Sequence, residues 1–286
     1  MDLHTPNKIK ELGVIGYPLS QSISPSFQQA ALDHFSLDIK YMRWEVDSFH
    51  IKDFMNNIKR PEFLGSNVTV PYKQQIMDYL DEVDKWALEA GAVNTIIHRN
   101  GKLHGFNTDG QGFIKSLEED GHSSLTNKQV LIIGAGGSAR AVVLSLATKD
   151  VGEIFIANRT HEKASQLSII AKNYGCKSKS IKLDDIPAVS HTSHLIINCT
   201  TMGMKHHSME THTPLIAKDI NPKAMVYDLV YNPRETMLMK EAKIAGAKAL
   251  GGLNMLIHQG AYSFYIWTGL KAPINVMYNA AQKALK

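Results

Sequence analysis

Three groups of residues in this chain have types and spacings that chemistry can use. Ser22 and Ser24 stand two apart in S-Q-S-I-S-P, where an apolar run gives way to a helix start. Hydroxyls and free backbone N–H groups converge at such a crossing and suit an anion. Lys73 follows the apolar run N-V-T-V-P-Y, and Asp109 sits in the small-residue stretch G-F-N-T-D-G. An ammonium just past a strand's carboxyl end lies where open α/β sheets place ligands. Taken singly, Lys73 reads equally as a surface lysine and Asp109 as a helix N-cap.

The third group is made of backbone. V-L-I-I-G-A-G-G-S-A-R-A, from Val130 to Ala141, reads as a buried strand turning directly into a helix. Gly134 permits the tight turn, Gly136 lets a pyrophosphate approach without meeting a Cβ, and Ala139 keeps helix and strand close. Ala135, Gly137 and Ser138 complete the turn, whose N–H groups face the anion. A second strand, Glu153 to Ala157, follows at the distance a βαβ unit requires, and it ends in Asn158-Arg159-Thr160 with Lys163 close behind. An NAD site usually carries a carboxylate there for the ribose hydroxyls. A guanidinium and an ammonium suit a 2′-phosphate instead, so the cofactor reads as NADP.

The elements that must position these groups can be placed around them. A first strand over Glu11 to Tyr17 leads to the serines, with Ser24 as capping hydroxyl and Pro25 at the first helical position. Strands over Ile39 to Val46 and Phe63 to Val70 flank a helix over Phe49 to Ile58, and Pro71-Tyr72-Lys73 opens another helix. A helix ends at Gly91 and runs into a strand, and Asn100-Gly101 signals a type I′ hairpin. The hinge falls near residues 107 to 112, ahead of a helix from Gln111 to Glu119. Strands over Ser178 to Leu183, His194 to Asn198 and Met225 to Leu229 then alternate with helices over Lys163 to Asn173 and Glu235 to Ala245, a pattern that makes a parallel sheet covered on both faces. Gly251-Gly252 breaks it. Leu253 to Thr268 is a long apolar helix, and the last helix follows Pro273.

Composition narrows the class. The chain has 286 residues, 44% of them hydrophobic, which supply core enough for two domains or one large one. A net charge of +4, spread among acidic residues without a basic block, points away from nucleic acid and leaves small anions as partners. Cys176 and Cys199 have no paired spacing and read as reduced thiols of a cytoplasmic protein. His191, His194, His206 and His207 lie in polar stretches without a ligand framework, so no metal is expected. No apolar run reaches membrane-spanning length and no signal-like core opens the chain, so no membrane is expected.

Several short motifs, in order along the chain, now resemble one family. S-Q-S-I-S-P at 20–25, N-V-T-V-P-Y-K at 67–73, G-A-V-N-T at 91–95, N-T-D-G at 107–110, G-A-G-G-S-A-R at 134–140, N-R-T at 158–160, Y-N-P at 231–233 and G-L-N-M-L-I-H-Q at 252–259 are similar to those of shikimate dehydrogenases. The resemblance implies a two-lobed α/β protein: an α/β substrate-binding domain of residues 1–109 and 252–286, and a Rossmann-type NADP-binding domain of residues 110–251, closing over substrate and cofactor. It implies NADP-dependent interconversion of shikimate and 3-dehydroshikimate, in aromatic amino acid biosynthesis, and the sequence is compatible with either a monomer or a homodimer. Ser22 and Ser24 would hold the substrate carboxylate. Thr69, Lys73, Asn94, Asp109 and Gln259 would surround the ring hydroxyls, with Tyr231 nearby and Lys73 and Asp109 as the catalytic pair. Gly252 would lie near the nicotinamide.

Two departures stand out. Gln28 replaces a histidine common among relatives, at a position expected to pack behind the serines with little functional consequence. N-C-T-T-M-G at 198–203 replaces a commoner N-A-T and could alter nicotinamide contacts slightly. The competing readings are a sister enzyme that oxidises quinate or uses NAD, and a non-catalytic NADP sensor of the same fold. Asn158-Arg159-Thr160 argues against NAD, and an intact Lys73 and Asp109 argue against a sensor.

Overall fold

The computed structural model describes residues 9–120 and 124–286. The chain divides into two compact units, residues up to 112 together with 257–286, and residues 113–256.

The first unit begins with β1 (Lys10–Gly16), α1 (Ser24–His34), β2 (Ile39–Glu45), α2 (Ile51–Asn57), β3 (Phe63–Val68), β4 (Glu82–Val83), α3 (Lys85–Ala90), β5 (Thr95–Arg99) and β6 (Lys102–Phe106), and α4 (Asp109–Glu119) starts in it. Its sheet runs β2-β1-β3-β5-β6-β4. β1 is parallel to β2 and β3, whereas β5 is antiparallel to β3 and β6. All six residues of β3 are buried, the mark of a strand covered on both faces. One face carries a core of Ile15, Phe63, Val68, Tyr72, Ile76, Ile96 and Leu103. From the chain's end, Trp267 donates its indole N–H to the Ile96 carbonyl at 2.8 Å, so its polar edge is satisfied inside the core.

The second unit comprises β7 (Gln129–Ile133), α5 (Gly137–Ala147), β8 (Glu153–Ala157), α6 (His161–Asn173), β9 (Ser178–Ile181), α7 (Ile186–Thr192), β10 (Leu195–Asn198), β11 (Met225–Asp228), α8 (Met237–Ile244) and β12 (Lys248–Gly251). α9 (Leu253–Thr268) starts here and ends in the first unit, which α10 (Ile274–Ala284) completes. The six strands are parallel, in the order β12-β11-β10-β7-β8-β9. Alternate residues of one strand feed opposite cores: Val130 and Ile132 join one cluster, Leu131 and Ile133 the other. Burial on both faces therefore explains an unbroken apolar run where a one-sided strand would alternate. Each fully buried side chain of this size contributes roughly 1.5–3 kcal/mol.

Most elements match the sequence pattern to within two residues, including the αL helix end at Gly91 (φ 61°) and the positive φ at both Asn100 and Gly101. Three expectations need correction. Ser24 is not a cap: Ile23 is the N-cap, its carbonyl already accepting from the N–H of Ser26 at 3.0 Å, so Ser24 lies inside the first turn and Pro25 second. Pro71-Tyr72-Lys73 forms a turn, and the helix that follows is a short 3-10 segment, Gln75–Tyr79. The helix expected from Phe49 starts only at Ile51, and Phe49 is 89% exposed. β4, α7 and β12 were not expected from the pattern. They are short, seven residues at most, too few for either period to stand out.

Candidate active site

In the first unit the turn after β3 delivers Lys73. Tyr72, 1% exposed, donates its hydroxyl to the Val46 carbonyl at 2.6 Å and pins the turn from below. The Lys73 carbonyl accepts from the Val93 N–H at 2.7 Å, which ties the turn to the segment before β5. Lys73 Nζ lies 2.5 Å from Asp109 Oδ2, with the two side chains only 13% and 4% exposed. An ion pair this sheltered is screened little by solvent and holds its geometry.

Asp109 is placed by the first turn of α4, its N–H donating to Asn107 Oδ1 at 3.0 Å. Asn94 is the hub of the group. Its Nδ2 donates to Asp109 Oδ1 at 2.8 Å and to Gln259 Oε1 at 3.0 Å, and its Oδ1 accepts from the Thr108 N–H at 2.8 Å. Lys73, Asn94, Asp109 and Gln259 thus form one buried network from four segments of the chain. A second polar layer supports it. Asn67 Nδ2 donates to the Asn94 carbonyl at 3.2 Å and to Ser263 Oγ at 2.9 Å, and Tyr41 donates to Asn67 Oδ1 at 2.7 Å. Burial pushes the Tyr41 phenol well above its usual range.

The serines occupy the loop and first turn of α1. Ser22 is half-buried and its carbonyl accepts from the exposed Arg43 guanidinium at 2.8 Å. Ser24 is 7% exposed, and its hydroxyl is not engaged as a cap. One helical turn later Gln28, 1% exposed, donates Nε2 to the Gly260 carbonyl at 3.0 Å and fastens α1 to α9 beside Gln259. Thr69 is half-buried at the end of β3, its N–H on the Ile15 carbonyl at 2.9 Å.

In the second unit, the turn after β7 sits where the strand order reverses between β7 and β10. Gly134 has φ 109°, and a Cβ there would stand 3.0 Å from the Cys199 carbonyl carbon. Gly136, the N-cap of α5, has nothing within 4 Å of where a Cβ would be, and no side chain caps the helix. Open space at an uncapped helix start, with Gly137 and Ser138 in the first turn and Ala139 fully buried beneath, is a cradle that fits a pyrophosphate. The Ala135 N–H is held by Asn158 Oδ1 at 3.2 Å, and Asn158 Nδ2 donates to the Thr160 carbonyl at 2.9 Å. Arg159, Thr160 and Lys163 are exposed at the end of β8 and the start of α6. Their two cations and hydroxyl suit a phosphate and outnumber the single carboxylate beside them, Glu162 in the first turn of α6. Tyr231 is half-buried in the loop after β11. Gly252 is buried, and a Cβ on it would come 2.1 Å from the Leu229 carbonyl oxygen.

Sequence reasoning missed the anchors Tyr72, Asn67 and Ser263. Tyr72 lay in a quoted motif, but only the fold shows that its hydroxyl is buried.

Comparison with known proteins adds the last observation. A shikimate dehydrogenase (NADP(+)) of Bacillus cytotoxicus is 40% identical over 265 residues, 93% of this chain and 95% of that one. The chain belongs to the shikimate dehydrogenase family. Three family profiles of shikimate dehydrogenases match along it: the substrate binding domain at residues 14–96, shikimate / quinate 5-dehydrogenase at 116–242, and the shikimate 5'-dehydrogenase C-terminal domain at 252–282. Among solved structures, a shikimate dehydrogenase in complex with NADP+ superposes with a TM-score of 0.89 at 41% identity, covering 97% of this chain and 96% of that one. The shikimate 5-dehydrogenase of Thermus thermophilus, in complex with NADP(H) and shikimate, gives 0.84 at 34% identity over 96% and 100% of the two chains.

Proposed function

We propose that this chain is an NADP-dependent shikimate dehydrogenase, which reversibly reduces 3-dehydroshikimate to shikimate in aromatic amino acid biosynthesis. The observation that carries the reading is the sheltered Lys73–Asp109 pair held by Asn94 and Gln259. A binding-only protein needs no proton-transfer pair, and burying one costs desolvation that pairing must offset.

When bound in the turn after β7, NADPH would supply the hydride, and NADP+ would accept it in the reverse direction. Lys73 gives a proton to the carbonyl oxygen being reduced, and as a cation it stabilises the charge developing there. In the reverse direction neutral Lys73, directly or through Asp109, accepts the hydroxyl proton. Asp109, Asn94, Gln259 and Thr69 bind and orient the ring hydroxyls, and Tyr231 adds a contact. Ser22 and Ser24 bind the carboxylate, and an analogue lacking it would leave those hydroxyls unpaired. The turn from Gly134 to Ala139 holds the pyrophosphate, Asn158, Arg159, Thr160 and Lys163 the 2′-phosphate end, and Gly252 keeps the backbone close to the nicotinamide. Residues 1–109 and 252–286 form the substrate-binding part, and 110–251 the cofactor-binding part.

The test offers shikimate and quinate, each with NADP and NAD, and follows nicotinamide absorbance. Fast reduction with shikimate and NADP alone is expected. Comparable rates with quinate or NAD would reassign the chain to a sister enzyme. No helix among the described residues is long and apolar enough to cross a membrane. We place the protein in the cytoplasm, with neither cysteine in a disulfide, as a monomer or homodimer that light scattering would distinguish.

A further inference from the structure

Asp228 ends β11 fully buried, although no step above uses it. Its Oδ1 accepts from Asn198 Nδ2 at 2.9 Å and from the Val230 N–H at 3.1 Å, and its Oδ2 accepts from Thr236 Oγ1 at 2.6 Å. The three donors belong to three places: the end of β10, the loop after β11 and the N-cap of α8.

Each tie extends outward. Asn198 Oδ1 accepts from the Thr200 N–H at 3.0 Å and from Thr200 Oγ1 at 2.7 Å, which fixes the first residues beyond β10. The Val230 carbonyl accepts from the Gly252 N–H at 3.2 Å, which brings in the segment beyond β12. Thr236 Oγ1 accepts from the Met239 N–H at 3.2 Å and starts α8. Between the loops, the Lys205 N–H donates to the Asn232 carbonyl at 2.8 Å. One carboxylate therefore ties the carboxyl ends of β10 and β11 to the start of α8, and through Val230 it reaches the segment beyond β12. Burial pushes it up to about 6 against the pull of its three donors, all neutral. An acid in such a place is costly, and the bonds it accepts are what hold it there.

The strand order says what this fastening serves. A dinucleotide bound at the reversal between β7 and β10 would have its adenosine end by Arg159, beyond β8, which leaves its nicotinamide end towards β10 and β11. Those are the strands that Asp228 joins.

We propose that Asp228 is a positioning residue for the nicotinamide half of NADP, setting the segments that carry Thr200, Tyr231 and Gly252 without touching the cofactor itself. The proposal rests on the reading of the chain as an NADP-dependent dehydrogenase. Displacing a reacting ring by about 1 Å costs on the order of 100-fold in rate, while distant binding contacts are spared.

The experiment compares wild type, Asp228→Ala, Asp228→Asn and Thr236→Val in the full chain. It measures kcat and KM for shikimate, the emission of bound NADPH, which reports the ring's surroundings, and affinity for 2′-phospho-ADP-ribose, which lacks nicotinamide. Asp228→Ala is expected to lower kcat about 10- to 100-fold and to lose the bound-NADPH emission change. Its affinity for 2′-phospho-ADP-ribose should stay within about twofold of wild type, well inside that rate effect, while the shikimate KM reads how far Tyr231 moves with its loop. Asp228→Asn should recover most of the loss, since its oxygen can still accept and its amide can donate to Thr236. If Asp228→Ala does not fold, Thr236→Val reads the same contrast with a smaller effect. Equal weakening of 2′-phospho-ADP-ribose, or kcat and emission both near wild type, would overturn the proposal. A wild type that binds NADP but leaves shikimate unreduced would sink the functional reading alone, because emission and fragment affinity still judge Asp228. A wild type that binds no NADP would end both.

Discussion

The two units present their working groups in opposite ways. In the first, side chains do the work: an ammonium, a carboxylate and two amides, each with hydrogen-bond partners inside the fold. In the second, backbone does it: a turn at Gly134 to Gly136 where a Cβ would meet Cys199 or fill the cradle. Proton transfer needs a titratable group held still, whereas a pyrophosphate needs N–H groups left uncovered. Removing a side chain is therefore the damaging change in one unit, and adding one is the damaging change in the other.

The sharpest way to break this contrast is Lys73→Ala. It should lower kcat about 1,000-fold or more, with NADP affinity little changed, since general acid–base groups contribute roughly 10²–10⁴. A variant retaining a tenth of the wild-type rate would put the chemistry elsewhere.

Asp228 is the second unit's exception, a charge inside a backbone-built region, and its titration probes it. Its folded carboxyl sits at about 6 against a reference value of 3.8. The native state thus binds the extra proton between those values, and stability falls as pH rises through that window. Asp228→Asn should remove up to about 3 kcal/mol of that fall, taking about 1.36 kcal/mol per unit. Melting temperatures of the two proteins, taken from pH 4 to pH 7, should converge towards the acid end; parallel curves would contradict the assignment.

Gly134→Ala should cost NADP affinity about 30-fold, the equivalent of roughly 2 kcal/mol of backbone strain at φ 109°. Calorimetric titration with NADP, set beside the KM for shikimate, shows whether only the cofactor side suffers. The smallest change is Arg159→Ala, expected to weaken NADP about tenfold and NAD hardly at all. Because Arg159 is exposed, that preference should shrink in high salt.

Val130–Ile133 was legible as an unbroken apolar run ending in a glycine turn, and Ile39–Glu45 by its alternation. The glycine turn was legible because its constraint is local. Pairing of Lys73 with Asp109 was not, since the partners lie 36 residues apart and only the family resemblance joined them. The capping role read for Ser24 failed because the helix starts one residue earlier, which sequence periodicity does not resolve. The local proline signal at Pro71 lost to a long-range bond from Tyr72 to Val46. Asp228 carried a signal that went unused: an acid inside the apolar run M-V-Y-D-L-V is out of place unless the fold satisfies it.

Trp267, whose N–H closes on the Ile96 carbonyl, has one more consequence. It and the other two tryptophans, Trp44 and Trp86, all lie in the first unit. Indole fluorescence therefore watches only that unit unfold, while the second stays dark. The second has its own optical handle in Tyr227, whose buried phenol donates to or accepts from Ser116 and is pushed well above the usual range. Denaturant curves from the two signals, overlaid, would tell directly whether the halves melt as one cooperative body or in turn.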